Sequence, residues 1–326
     1  MKKLFLGFSA LILLTFSSCI DDINDQQESI DSSDLFEFRL SESQCGSMEV
    51  LNKNLASNPD LAVKMQEIEN HTARAIANQS FNRIAADGVL EIPVVFHIIY
   101  RTQSENISLT QINSQIDALN EDFNLNNPGR NIIPSEFTTV EADINIRFVL
   151  ENVIRVQNSK TRRWRPNDSM KFASSGGSDV VNPQEFLNIW VVNNMPYHGG
   201  NILGYAQFPG GNWNTDGVVM DYRFTGDTSY STGRTATHEV GHWLNLRHIW
   251  GDGGCGVDDF VADTPTSDRS NTGCPSYPTV HCGTNDMTMN FMDYSSDQCL
   301  NMFTEGQKAR MLSVFASGGF RTDMAD

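Results

Sequence analysis

The chain has 326 residues, and 23 Lys plus Arg against 40 Asp plus Glu leave a formal net charge of −17. That acidity argues against nucleic acid as the partner. Hydrophobic residues at 39%, aromatics at 10% and charged residues at 19% exclude a disordered chain and a membrane bundle, and supply core for one large or two modest domains.

In chain order, the first apolar run, Leu4 to Phe16, follows Lys2 and Lys3 and is shorter than the roughly 20 residues that cross a bilayer as a helix. Residues 1–18 therefore read as a secretory signal peptide. Phe16-Ser17-Ser18-Cys19 resembles the lipobox of bacterial lipoproteins, with Phe16 where Leu is usual. The resemblance implies a lipid on Cys19 as the sole membrane attachment and a place at the outer membrane or cell surface. The other reading is a soluble secreted protein cut near Ser18. Residues 19–43 are rich in Asp, Glu, Ser and Gln and suit a solvated tether that cannot fold alone.

From Met48 to about Asn78, Val50, Leu51, Leu55, Leu61, Met65, Ile68 and Ile76 recur at helical spacing, with Asn58-Pro59 breaking the run. This makes 44–87 a helical segment, with the break at Ala77 to Gly88 as the internal boundary and 88–326 as the main domain. Ile92 to Tyr100 is dense in β-branched and aromatic residues and predicts a buried strand. Ile112, Ile116, Leu119 and Phe123 share one face of a helix over Thr110 to Phe123, capped by Ser108 or Thr110. Further strands at Ile144 to Leu150, Leu187 to Val192 and Val218 to Tyr222 imply a mixed α/β sheet. Gly251 to Ser296 lacks regular pattern, and a last helix is expected from about Glu305 to Ala316.

Export makes disulfides available. Cys45 stands apart, while Cys255, Cys274, Cys282 and Cys299 cluster near the C-terminus, and four cysteines allow three pairings. A four-cysteine zinc knot is disfavoured because no C-x-x-C pair is present.

His238-Glu239-Val240-Gly241-His242 places two imidazoles four residues apart, one above the other on a helix, ready to share one zinc. His248 follows six residues later, and all three together are expected by chance about once in 7,000 such chains. His248 can reach the same metal only if the helix ends between, and Asn245 stands where the turn is needed. A left-handed backbone there is least costly for Gly, with Asn next. The string is the H-E-x-x-H-x-x-G-x-x-H pattern of the metzincin metalloproteases with Asn245 in place of Gly. Asn290-Phe291-Met292-Asp293-Tyr294-Ser295 fits the methionine turn of that group. His97 falls in the predicted core strand and reads as structural, and His71, His198 and His281 lack metal spacing.

Thr237 to Trp250, Asp259 to Pro265, the Met292 turn and Phe303-Thr304-Glu305-Gly306-Gln307 resemble the pappalysin branch of the metzincins. Met170 to Gly177, Leu187 to Val191 and Leu203 to Ala206 look like the same branch, so the match spans about Glu91 to Ser317. The resemblance implies an α/β (α+β) zincin fold with a horizontal cleft. A twisted mixed sheet and two helices would lie above it, with an irregular lower subdomain, cross-linked by Cys255–Cys282 and Cys274–Cys299, below.

His238, His242 and His248 as ligands leave one position open for water, the mark of a catalytic zinc. Glu239 is then the general acid/base, and the resemblance to metzincins implies that Tyr294 stabilises the transition state. By resemblance, Gly204-Tyr205-Ala206 is the edge strand that holds a peptide or protein substrate. The resemblance also implies that Asp297 lies at the base of the first primed-side pocket, predicting cleavage before Arg or Lys, and that Asp259, Asp263 and Thr264 hold calcium. Cys45, in the pro-segment, occupies the fourth zinc position and keeps the enzyme latent; otherwise it is an unpaired or intermolecular cysteine. Cutting at Arg83 or Arg74 would activate and release the domain together. The competing class is an inert zinc-binding surface module, which the presence of Glu239 disfavours.

Overall fold

The Val, Ile and Phe density around Phe96 is that of a strand covered on both faces, and β1 (Leu90–Tyr100) is buried along almost its whole length. The structure, a computed structural model, describes residues 45–80, 88–129, 132–161 and 163–325. The signal, Cys19, the tether and Arg83 lie outside them. No helix among the described residues is long and apolar enough to cross a membrane.

β1 pairs in parallel with β2 (Ile146–Gln157) on one side and β3 (Leu187–Val192) on the other. β4 (Met195–Tyr197) and β5 (Gly200–Ile202) form a separate hairpin. β6 (Gly204–Ala206) closes the main sheet antiparallel to β7 (Val218–Asp221), giving the order β2-β1-β3-β7-β6. This is the twisted mixed sheet expected, with Gly204–Ala206 as its edge. β2 runs seven residues beyond the apolar stretch that predicted it. Its second half carries Glu151, Asn152 and Arg155 on an outer strand, where backbone pairing with β1 replaces burial as the ordering force. The β4–β5 hairpin escaped the sequence pattern because it is short; His198 and Gly199 turn it with φ of 45° and 86°, the pair of positive φ values that matches strand twist.

α3 (Leu109–Phe123) starts at Ser108, whose hydroxyl accepts from the Gln111 amide at 3.1 Å. It packs Ile112, Leu119 and Phe123 into the main core beside β1 and β2. A second core, on Trp190, Met170, Val219 and Tyr205, also takes in Val50 from α1 (Ser47–Ser57). α2 (Pro59–Ala77) follows, with Asn58 as cap and Pro59 in the first turn, where a missing N–H costs nothing. The lower half is irregular and held by Cys255–Cys282 and Cys274–Cys299, pairings worth about 2–4 kcal/mol each. α5 (Glu305–Ser313) is closed by a capping box of Thr304 and Gln307.

A buried ion pair ties the end of the chain beneath the sheet. Asp216 accepts two bonds from Arg321, at 2.8 and 2.9 Å, and one from the Trp243 indole at 2.9 Å. Arg321 is fully buried, its guanidinium 3.7 Å from the Trp243 ring centroid. Asp216→Ala leaves that cation uncompensated, so thermal and urea denaturation should report a loss of about 3–5 kcal/mol; a change below 1 kcal/mol would show that solvent reaches Arg321.

Candidate active site

α4 (Arg234–Trp243) is buried along both faces and carries His238 and His242 one turn apart. Two acidic residues hold its N-terminal end. Asp122 of α3 accepts from the Thr237 hydroxyl at 2.6 Å and pairs with Arg234 at 3.0 Å, and burial pushes its carboxyl up to about 7. Asp297 Oδ2 accepts from the Ser231 hydroxyl and the Thr232 amide, both at 2.8 Å, so it braces the loop entering the helix. Asp297 is half-buried.

The helix stops by a definite device. The Asn245 amide donates to the His242 carbonyl and the Leu246 amide to the Gly241 carbonyl, both at 2.9 Å, with Asn245 at φ 75°. That is a Schellman closure in which Asn takes the left-handed position usually given to Gly. It reverses the chain so that His248 returns to the face of His238 and His242. Gly241 is needed for a different reason: a Cβ there would stand 2.5 Å from the Met292 sulfur. Met292, fully buried, is therefore packed directly beneath the histidine helix.

The three imidazoles converge by their Nε2 atoms, 3.1 Å from His242 to His238 and 3.2 Å from His242 to His248. Their Nδ1–H groups donate outward: to the Phe291 carbonyl at 2.8 Å, the Leu246 carbonyl at 2.8 Å and the Asp252 carboxylate at 2.5 Å. This fixes the tautomer and leaves three lone pairs aimed at one point. Burial pushes His238 down to about 3 and holds His242 well below the usual range, so both rings are neutral donors. Nitrogens bound at about 2.0–2.1 Å to a tetrahedral zinc stand about 3.4 Å apart, so the residues fit that ion. The Cys45 sulfur belongs to the same metal-sized group.

Glu239, fully buried, faces the same space. Its Oε2 accepts from the Ser47 hydroxyl at 2.7 Å and the Cys45 thiol at 3.4 Å, its Oε1 has no hydrogen-bond partner among the described residues, and burial pushes its pKa up to about 8. The Tyr294 hydroxyl stands 3.2 Å from His248 Nε2, and its ring packs edge-on against His248 and Trp250. Above Glu239 runs the edge strand, where a Cβ on Gly204 would lie 2.9 Å from Glu239 Cγ. Only glycine lets the strand pass that close.

The segment from Cys45 to Ser47 fills this space. The Gly46 amide donates to the Gly204 carbonyl at 2.9 Å, and the Ser47 hydroxyl accepts from the Ala206 amide at 2.8 Å. The outward-facing groups of β6 are thus taken by the chain's own N-terminal segment. Ser47 is fully buried and touches both the edge strand and Glu239. Sequence reading passed over it; its place two residues after Cys45 was the available signal. Asp252, which orients His248, and Asp122, which orients α4, were missed likewise.

Within the expected edge strand the Tyr205 side chain is buried on the far side of the sheet, with its hydroxyl donating to Asp168 at 3.1 Å and Lys171 beneath its ring. In a strand alternate side chains face opposite ways, so Gly204 and Ala206 present the cleft-side groups and Tyr205 anchors the strand from behind. Asp259, Asp263 and Thr264 also divide. Thr264 donates to Asp259 at 2.8 Å, while Asp263 accepts from the Thr304 hydroxyl at 2.6 Å and the Gly306 amide at 2.8 Å. Asp263 therefore caps α5. His97 is a core residue, bonded to Ser178 and Asn188 at 2.7 and 2.9 Å and stacked on Trp190.

Comparison with known proteins places this geometry. A model of the family described as pregnancy-associated plasma protein-A matches residues 175–316. The extracellular metalloprotease of Arthroderma benhamiae is 30% identical over 262 residues, spanning 77% of this chain and 87% of that protein. That of Sordaria macrospora is 32% identical over 250 residues, spanning 71% and 77%. Among solved structures, a Glu-to-Ala mutant of promirolysin from Tannerella forsythia aligns with a TM-score of 0.75 at 38% identity, covering 86% of this chain and 96% of that one. Mature mirolysin of the same organism, in complex with a cleaved peptide, aligns at 0.68 and 42% identity over 72% and 95%.

Proposed function

The chain belongs to the pappalysin family of metzincin zinc metalloproteases, and from that premise we propose how its residues cut a peptide and hold the enzyme latent. It is a zinc metalloprotease of an exported kind, as its extracellular relatives are, and it acts on peptides. The observation that carries the residue assignment is the convergence of three outward-anchored imidazoles beside the buried Glu239.

His238, His242 and His248 would hold the metal, and zinc supplies Lewis acidity and brings the pKa of water to about 7. Glu239 takes the proton from the attacking water and returns it to the leaving amine, two transfers that its buried place beside the imidazoles allows. The Tyr294 hydroxyl donates to the oxygen that gains charge. The outward carbonyl of Gly204 and amide of Ala206 pair with the substrate backbone. Asp297, half-buried at the mouth of α4, selects Arg or Lys after the cut bond.

Latency rests on Cys45 as the fourth ligand, with 44–87 as the pro-segment. Support comes from the position of the Cys45 sulfur among the imidazoles and from the likeness to promirolysin, which covers 86% of the chain against 72% for the mature form. The lipid on Cys19 and a cut at Arg74 or Arg83 complete the proposal: activation also frees the domain from its anchor. Calcium held by Asp259, Asp263 and Thr264 belongs to it too, and equilibrium dialysis tests that point.

A peptide-library digest with the activated chain tests the specificity. Cuts should fall before Arg or Lys and vanish with a zinc chelator, and Asp297→Ala should lower the preference for basic residues by about tenfold or more. Cuts without regard to basic residues would sink the Asp297 assignment and leave the zinc chemistry standing.

A further inference from the structure

α2 docks on the catalytic domain through one face, with Leu61, Thr72 and Ala75 buried. Three of its polar contacts reach the ground behind the third-histidine turn. His71 Nε2 bonds the Ser313 carbonyl at 3.2 Å, the Asn245 amide group donates to Thr72 at 3.5 Å, and Glu69 pairs with Arg310. Arg310 is itself buried, and its Nε donates to the Asn245 carbonyl at 2.6 Å. Arg247 lies alongside with a buried Nε that has no hydrogen-bond partner among the described residues. Both guanidinium groups face the ring of Phe260, at 5.1 and 5.5 Å from its centroid. Phe260 is 53% exposed and sits at φ 66°. A bulky aromatic in the left-handed region costs energy that packing does not repay at an exposed site. Asp252 and Asp259 also act on Arg247, so the distinctive feature is the convergence of two arginines on one exposed aromatic.

We propose that Arg247, Arg310 and Phe260 form a carboxylate-binding site on the mature enzyme. Glu69 fills it in the latent chain, and an acidic segment of a protein substrate fills it once α2 has gone. The inference rests on the latency reading for the departure of α2. The guanidinium fork of Arg310 is pre-positioned by its bond to Asn245, and Phe260 keeps both cations in place, so the site is already built for a carboxylate. Its floor is the carbonyl of the residue that turns the chain toward His248, which puts the docked segment close to the metal yet outside the cleft.

The test is displacement. The full chain carrying Glu239→Gln is nicked between α2 and β1 by an added protease, and its labelled pro-segment, made with Cys45→Ala so that no thiolate reaches the imidazoles, is rebound. A Glu-rich peptide lacking Arg and Lys should displace this label, whereas the matching Gln-rich peptide should need about tenfold or more higher concentration. Arg247→Gln in the domain should erase most of that difference, and Glu69→Gln in the pro-segment should weaken rebinding by a similar factor. Equal displacement by the two peptides, a ratio unchanged by Arg247→Gln, or failure of the Cys45→Ala pro-segment to rebind would each overturn the site. Failure of the latency reading shows separately, as an uncut Cys45→Ala chain that stays inactive, and does not touch the displacement ratio.

Discussion

Glu239→Gln should lower kcat/KM of the activated chain by roughly 10²–10⁴-fold with zinc content unchanged. The amide keeps the size of the carboxyl and can still accept from a hydroxyl, so the fold and the imidazole cluster stay as they are. It cannot take a proton from water. Glu239 is fully buried, and among the described residues one of its oxygens has no hydrogen-bond partner, which leaves it free to meet a water. Peptide turnover together with metal analysis decides the matter. A variant that retains activity at full zinc occupancy would move the acid/base role elsewhere, and one that loses zinc would make Glu239 structural.

Ser47→Ala and Cys45→Ala should both raise the activity of the uncut chain. Ser47 donates to the Glu239 carboxyl at 2.7 Å and accepts from the edge strand at 2.8 Å, and leaving a buried polar group without its partner costs about 1–3 kcal/mol. That shift would raise the open fraction of the latent chain roughly 10- to 100-fold. Cys45→Ala should raise it further, since a thiolate is a strong zinc ligand. Mass spectrometry must show the chain intact while a fluorogenic peptide reads activity. A folded Ser47→Ala chain as silent as the parent would confine latency to the cysteine.

The metal-compatible cluster was legible in the sequence because its members are local. A helix sets His238 against His242 without help from the rest of the chain, and the gap to His248 demands a left-handed residue that Asn245 can supply. Strand β1 and helix α3 were legible for the same reason, since burial on both faces or on one stripe writes a period into the residues. The polar second half of β2 and the β4–β5 hairpin carry no such period, being held by pairing and by a turn.

What the sequence by itself determined, then, is the family, the fold class and the histidines, each encoded in spacing over a turn or a strand. Tertiary structure alone decided which groups complete them. Ser47 meets Glu239 across 192 positions and Asp122 meets Thr237 across 115. Asp216 meets Arg321 across 105, and Tyr205 turns to the far side of its strand. A hydrogen bond acts over about 3 Å and leaves no periodic trace along the chain. Only the assembled sheet, which brings distant segments within that reach, says which polar side chain meets which.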